Sequence, residues 1–146
     1  DVIPGTPQLL NYQEVAKQHS MINTPPSFSI YLAGLVFRWL EAMGGVSAIA
    51  AVNERKAMNL YRTIDESEFY HNPVEKSCRS WMNVPFTLKD EELDVLFLKQ
   101  ADQLGLKNLK GHRLVGGMRA SLYNAVPEEG VAALIAFMKA FAQKHG

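Results

Sequence analysis

The stretch from Asn23 to Gly45 constrains the fold more than any other part of this chain. Asn23-Thr24-Pro25-Pro26 reads as a helix start: Thr24 suits the N-cap, and proline at the first helical position gives up no needed hydrogen bond. The predicted helix runs to about Met43 and stops at Gly44-Gly45. Phe28, Leu32, Leu35, Val36, Trp39 and Met43 form one stripe along it, while Ile30, Ala33, Phe37 and Leu40 cover the other side. A helix that is apolar nearly all round must be buried on more than one face. A small lone domain rarely supplies that much cover, so a second domain or subunit is expected against it.

The remaining pattern is mixed. Residues 1–22 read as an irregular lead-in broken by Pro4, Gly5 and Pro7, with only a short ordered stretch near Leu10 to Val15. A second helix is expected over about Val46 to Ile64, with Val46, Ile49, Ala57, Leu60, Tyr61 and Ile64 at helical spacing. Partial alternation from Arg79 to Thr87 predicts a strand, and Asp90-Glu91-Glu92 opens a third helix ending at Gly105, its acids favourable to the helix dipole. Leu106 to Asn124 reads as two short strands interrupted by Gly116-Gly117. Pro127 starts a last amphipathic helix with Val131, Leu134, Ile135, Met138 and Phe141 inward. The order helix, helix, strand, helix, strands, helix predicts an α+β or α/β layer, with helices packed on a small, largely antiparallel sheet.

A hydrophobic content of 47% over 146 residues fits one compact globular domain. Charged residues make up 21% and sum to a net charge of zero, which gives no general electrostatic reason to bind nucleic acid or an anionic membrane. Any bound anion must be held by a few local groups. The lone Cys78 allows no internal disulfide and no Cys-x-x-Cys metal pair, as a reducing cytoplasm would permit. No apolar run reaches the roughly 18 residues of a membrane span, and the first residues lack the basic-then-apolar pattern of a signal peptide. A start at Asp1 without methionine fits processing, tag removal or truncation, of which truncation is expected.

Two constellations bear on chemistry. Asn23-Thr24 precedes a helix N-terminus, where free N–H groups and the helix dipole suit a phosphate; simple capping is the plainer alternative. In Gly111-His112-Arg113-Leu114-Val115-Gly116-Gly117-Met118-Arg119, cationic or potentially cationic side chains flank a glycine pair that lets the backbone turn. If residues 118–124 form a strand, Arg119, Ser121 and Tyr123 share one face and Met118, Ala120 and Leu122 the other. An arginine standing off such a strand can grip a carboxylate with two nitrogens; a solvated basic patch is the competing reading. His19, His71 and His145 show no metal-ligand spacing, Cys78 has no implied histidine partner, and Gly116-Gly117 lacks the Lys-Ser/Thr of a phosphate loop.

Read as continuous motifs, the residues go further. Asn23-Thr24-Pro25-Pro26-Ser27-Phe28, the run Tyr31-Leu32-x-Gly34-Leu35-Val36-Phe37-x-Trp39-Leu40, Met82-Asn83-Val84-Pro85-Phe86, and Lys110-Gly111-His112-Arg113 through Gly116-Gly117-Met118-Arg119-Ala120-Ser121 to Tyr123-Asn124-Ala125 resemble the phosphoserine aminotransferase family, in that family's order. The resemblance extends from about residue 20 to the last residue. It implies a homodimeric fold-type-I enzyme that uses pyridoxal phosphate. Such enzymes exchange an amino group between glutamate and 3-phosphohydroxypyruvate in serine synthesis, and some also serve pyridoxine synthesis. It implies that Asn23 and Thr24 reach the partner subunit's cofactor phosphate and that Arg119 binds the substrate α-carboxylate. His112 and Arg113 would help hold the distal phosphate or the glutamate side-chain carboxylate. Residues 1–22 would end the large domain, 23–64 would supply long helices linking the domains and forming part of the dimer interface, and 65–146 would be the C-terminal small domain.

One departure is large. The family's Schiff-base lysine lies in an Ala-x-Gln-Lys-Asn-type motif upstream of the matched part, and no lysine here, Lys56 and Lys110 included, has that context. The chain is therefore read as a fragment without a catalytic residue of its own. Two alternatives are the C-terminal domain of another fold-type-I enzyme and a non-catalytic anion-binding module. The isolated chain is expected neither to hold pyridoxal phosphate tightly nor to transaminate; a cofactor absorbance band that survives dialysis would overturn this.

Overall fold

The computed structural model describes residues 2–146, which fall into two compact units meeting between Met43 and Gly44. The first unit contains a single turn of 3-10 helix, Gln8–Leu10, a short helix α1, Tyr12–Lys17, and a long helix α2, Ser27–Ala42. Asn11 caps α1: its side-chain oxygen accepts from the backbone of Gln13 at 3.0 Å and of Glu14 at 3.3 Å.

The start of α2 differs from the sequence expectation. Pro26, not Thr24, is the N-cap, and no side chain caps the helix. The reason is steric. A residue preceding proline is pushed out of the α region, so Pro25 cannot be helical ahead of Pro26, and the helix begins one residue beyond the proline pair. Thr24 is left exposed upstream of the first turn. None of α2's residues is buried; Phe28 is 72% and Phe37 67% exposed. The cover that an all-round apolar helix requires is not supplied by this unit. Among the described residues no single helix is long and apolar enough to cross a membrane.

The second unit opens with α3, Gly45–Asp65, which buries Ile49, Asn53, Lys56, Ala57, Leu60, Tyr61 and Ile64 along one stripe. It continues through β1, Tyr70–His71, β2, Asn83–Leu88, α4, Asp94–Gln103, β3, Met118–Ser121, and α5, Glu128–His145. The strands form one antiparallel sheet in the order β1-β2-β3, so the expected layer of helices and a small antiparallel sheet is what forms. Val84, Phe86 and Leu88 of β2 and Met118 and Ala120 of β3 are buried, while the alternate residues stay half-buried. That period of two assigns one sheet face to the core.

The core is aromatic. Phe97 lies within 4.9–6.2 Å, centroid to centroid, of Tyr70, Phe86, Phe137 and Phe141. Most of these pairs are edge-to-face, the arrangement that the ring quadrupole favours. The Tyr70 hydroxyl donates to the carbonyl of Met138 at 2.9 Å, and burial pushes its pKa up.

Pro85 sits in the central strand without costing a ladder bond. It faces Arg119 across β3, but the Arg119 N–H is used on the far side, on the carbonyl of Leu109 at 2.7 Å. The imino nitrogen and carbonyl of Pro85 point the other way, where β1 has ended, and the Asn72 amide donates to that carbonyl at 2.6 Å. Proline is tolerated where no N–H is asked of it.

Three local features depart from expectation. The strand predicted over Arg79 to Thr87 begins only at Asn83, because Ser80 turns the chain: its hydroxyl accepts from the backbone of Met82 and Asn83 at 3.0 and 3.2 Å. Two strands expected in 106–124 reduce to β3 and an isolated bridge between Lys110 and Met118. β1, two residues long, carries no readable period.

Arg79 ties the Ser80 turn to α3. Its guanidinium donates to both carboxylate oxygens of Asp65, at 2.7 and 2.8 Å, and lies 4.7 Å over the Tyr61 ring. The Arg79 hydrogen bonds hold the Asp65 carboxyl below its ordinary value of 3.8. A depressed carboxyl contributes stability above its unfolded pKa and loses it as pH falls through the folded one. Denaturant unfolding of Asp65→Asn is therefore expected to show lower stability than the parent at pH 7, with the gap closing as pH falls below about 3.8; a gap that does not change with pH would contradict the pairing.

Candidate functional site

The hairpin that carries the cationic residues lies wholly in the second unit. Residues 109–111 run antiparallel to 117–119: the Gly111 N–H donates to the Gly117 carbonyl at 2.8 Å and the Arg119 N–H to the Leu109 carbonyl at 2.7 Å. The turn closes on His112, whose carbonyl accepts from Val115 at 2.9 Å and Gly116 at 2.8 Å. Two glycines make this possible. A Cβ at Gly111 would collide with the carbonyl oxygens of Gly116 and Gly117, and one at Gly117, where φ is +58°, would stand 2.8 Å from the Phe86 carbonyl oxygen.

His112 and Arg113 are exposed at the tip of this hairpin. The His112 Nδ1 accepts from the backbone of Leu114 at 3.3 Å, which leaves Nε2 for solvent or ligand. Arg119 lies in β3 on the half-buried sheet face, with Ser121 beside it and Met118 and Ala120 turned to the core. That division matches the one read from the sequence, and Leu122 and Tyr123 continue it, buried and exposed respectively.

The Arg119 side chain has no partner among the described residues. Among the described residues no carboxylate lies within ion-pair distance of its guanidinium, and its Nε is sealed from solvent without an acceptor. The residues sharing its face on β2 and β3 (Asn83, Pro85, Thr87 and Ser121) include no acid. A buried, unanswered guanidinium donor is costly unless something else supplies the acceptor. A guanidinium free of an acid can take a carboxylate or phosphate oxygen pair. Asn23 and Thr24 belong to the first unit. Both are exposed, and neither side chain makes a hydrogen bond among the described residues; capping, the plainer reading of Thr24, does not occur.

Sequence reasoning missed Lys56. Its side chain is 1% exposed, and its ammonium donates to the carbonyls of Leu122 at 3.3 Å, Tyr123 at 3.0 Å and Val126 at 2.9 Å. Desolvation pushes its pKa down. Nearby, the Asn53 amide donates to the Asn124 side-chain oxygen at 2.8 Å. Together they fasten the segment that leaves β3 to α3, directly downstream of Arg119. Helical spacing held the signal: Asn53, Lys56 and Leu60 fall on the buried stripe of α3.

The family described as Aminotransferase class-V matches residues 5–134 of this chain. A curated phosphoserine aminotransferase of Hahella chejuensis is 63% identical over 139 residues, which is 95% of this chain and 38% of that protein. Among solved structures, phosphoserine aminotransferase from Bacillus circulans subsp. alkalophilus superimposes with a TM-score of 0.89 at 45% identity, covering 96% of this chain and 39% of that one. The pyridoxal-phosphate-bound phosphoserine aminotransferase of Trichomonas vaginalis does so with a TM-score of 0.85 at 41% identity, covering 95% and 40%. The chain thus spans about 40% of the length of the relatives it matches.

Replacing Lys56 by methionine, similar in length, leaves three carbonyls, one buried and two part-buried, without their donor. The expected cost is about 2–3 kcal/mol of unfolding free energy in urea titration; a loss below about 0.5 kcal/mol would show that the ammonium is not the anchor.

Proposed function

Because this chain belongs to the aminotransferase class-V family, we propose that it is the C-terminal section of a phosphoserine aminotransferase. Such an enzyme transfers an amino group between L-glutamate and 3-phosphohydroxypyruvate, giving 2-oxoglutarate and O-phospho-L-serine. The observation that carries the reading is Arg119: a guanidinium with no acid partner among the described residues, on a half-buried sheet face, in a chain 63% identical to a protein described by that activity.

In this reading residues 1–22 end the large domain, 23–64 supply helices of a homodimer interface, and 65–146 are the small domain. The bare apolar surface of α2 supports an interface there. Arg119 grips the α-carboxylate with two parallel N–H donors. His112 and Arg113, exposed at the hairpin tip, meet the second anionic group, a phosphate on one substrate and a carboxylate on the other. Two separate cationic points match the two anionic ends of each substrate, so a net charge of zero is no obstacle.

Pyridoxal phosphate, when bound, supplies the electron sink for the amino-group exchange. The residues present fit a supporting share of its site. Asn23 and Thr24, whose side chains are exposed and free of hydrogen bonds among the described residues, offer donors to the cofactor phosphate of the partner subunit. Lys56 does not fit as the cofactor-bearing lysine, since its nitrogen is held by three carbonyls; that lysine belongs to the remainder of a longer chain. In this reading the enzyme is cytoplasmic and acts on small molecules.

In the full-length enzyme, Arg119→Ala is expected to lower kcat/KM for glutamate by well over tenfold, because a hydrogen-bonded charge pair contributes roughly 1.5–3 kcal/mol. Steady-state kinetics with glutamate and phosphohydroxypyruvate check this, and unchanged glutamate kinetics would rule Arg119 out as the carboxylate grip.

A further inference from the structure

Next to Arg119 the sheet holds a second donor with no assigned use. Asn83 pairs with Ser121 and Pro85 with Arg119, so Asn83 and Arg119 are diagonal neighbours on one face, with alpha carbons about 7–8 Å apart. That spacing is within reach of a long side chain and leaves room between them for a carboxylate. The Ser121 hydroxyl donates to the Asn83 Oδ1 at 3.3 Å. This occupies the acceptor end of the amide and leaves both Nδ2 protons without a partner among the described residues. Asn83 is half-buried, so its Nδ2 is accessible yet its backbone is fixed in the ladder. The neighbour opposite Arg119 is Pro85, whose ring offers no polar group. Asn83 and Thr87 are thus the two side chains diagonal to Arg119 on this face that can add a donor to an anion held there, and of the two only Asn83 carries a two-proton amide oriented by a neighbouring hydroxyl.

We propose that Asn83 is a substrate-binding residue: its Nδ2 donates to the carboxylate gripped by Arg119, and Ser121 orients the amide by holding its oxygen. The inference rests on the carboxylate reading of Arg119. It explains why an amide, and not an acid, stands beside this arginine. An aspartate at that position would pair with the guanidinium and occupy the place of the ligand.

The test is rapid mixing of the full-length, cofactor-loaded enzyme with L-glutamate, the Kd being read from the cofactor absorbance change of the half-reaction. Asn83→Ala is expected to weaken that Kd about tenfold. Asn83→Asp, nearly the same shape, should keep the folded-state circular dichroism of the parent and bind glutamate more weakly still. Weakened binding in Arg119→Ala, with Asn83→Ala binding glutamate as the parent does, would overturn the role of Asn83 and leave the arginine site standing. If Arg119→Ala also binds glutamate as the parent does, the carboxylate reading of Arg119 fails, and this inference fails with it.

Discussion

The pairing of β2 with β3 is the constraint on which the rest of the second unit depends. Four residue pairs, Asn83 with Ser121 through Phe86 with Met118, fix the register, and a slip of one residue would exchange the two faces. In the observed register Val84, Phe86, Met118 and Ala120 enter an aromatic core, and Asn83, Arg119 and Ser121 are turned away from it. The same hydrophobic burial that stabilises the domain therefore sets the direction of its polar groups. Lys56 and Asn53 extend that control past the end of β3, by satisfying carbonyls and an amide that the departing chain would otherwise bury unpaired.

Much of this was legible in the sequence where the pattern is long and periodic. The helix expected over Val46 to Ile64 occupies Gly45–Asp65, and the one started by Pro127 occupies Glu128–His145 with Pro127 as its cap. Errors fell where a few side-chain contacts overrule local pattern. Arg79 to Met82 alternate enough to suggest a strand, yet the Ser80 hydroxyl and the Asp65–Arg79 pair bend them out of the sheet. Thr24 looked like a cap because its type is right, but the steric demand of two successive prolines moved the helix start beyond it.

The candidate site was legible to the extent that strand alternation and glycine chemistry fix direction. Alternation put Arg119 and Ser121 on one face, and the glycine pair marked a turn presenting His112 and Arg113. What residue types could not convey was the absence of any acid near Arg119, which depends on which strand lies alongside. The companion residue Asn83 is 36 positions upstream of Arg119 in the chain, and only the register makes them neighbours. Lys56 was discounted as one lysine among many. Its burial follows from its place on a helix face, and its three partners come from a segment more than 60 residues away.

Pro85 has a consequence for how the sheet meets other proteins. Beyond His71 the margin of β2 that faces away from β3 presents no amide hydrogen at Pro85, and its carbonyl is already taken by Asn72. Pro73 ends β1 at the same point, so a strand from another molecule would find neither a donor nor a free acceptor there. Such a margin resists edge-to-edge stacking of copies. It lets a small sheet keep a half-open polar face for ligands without that openness becoming a seed for fibres.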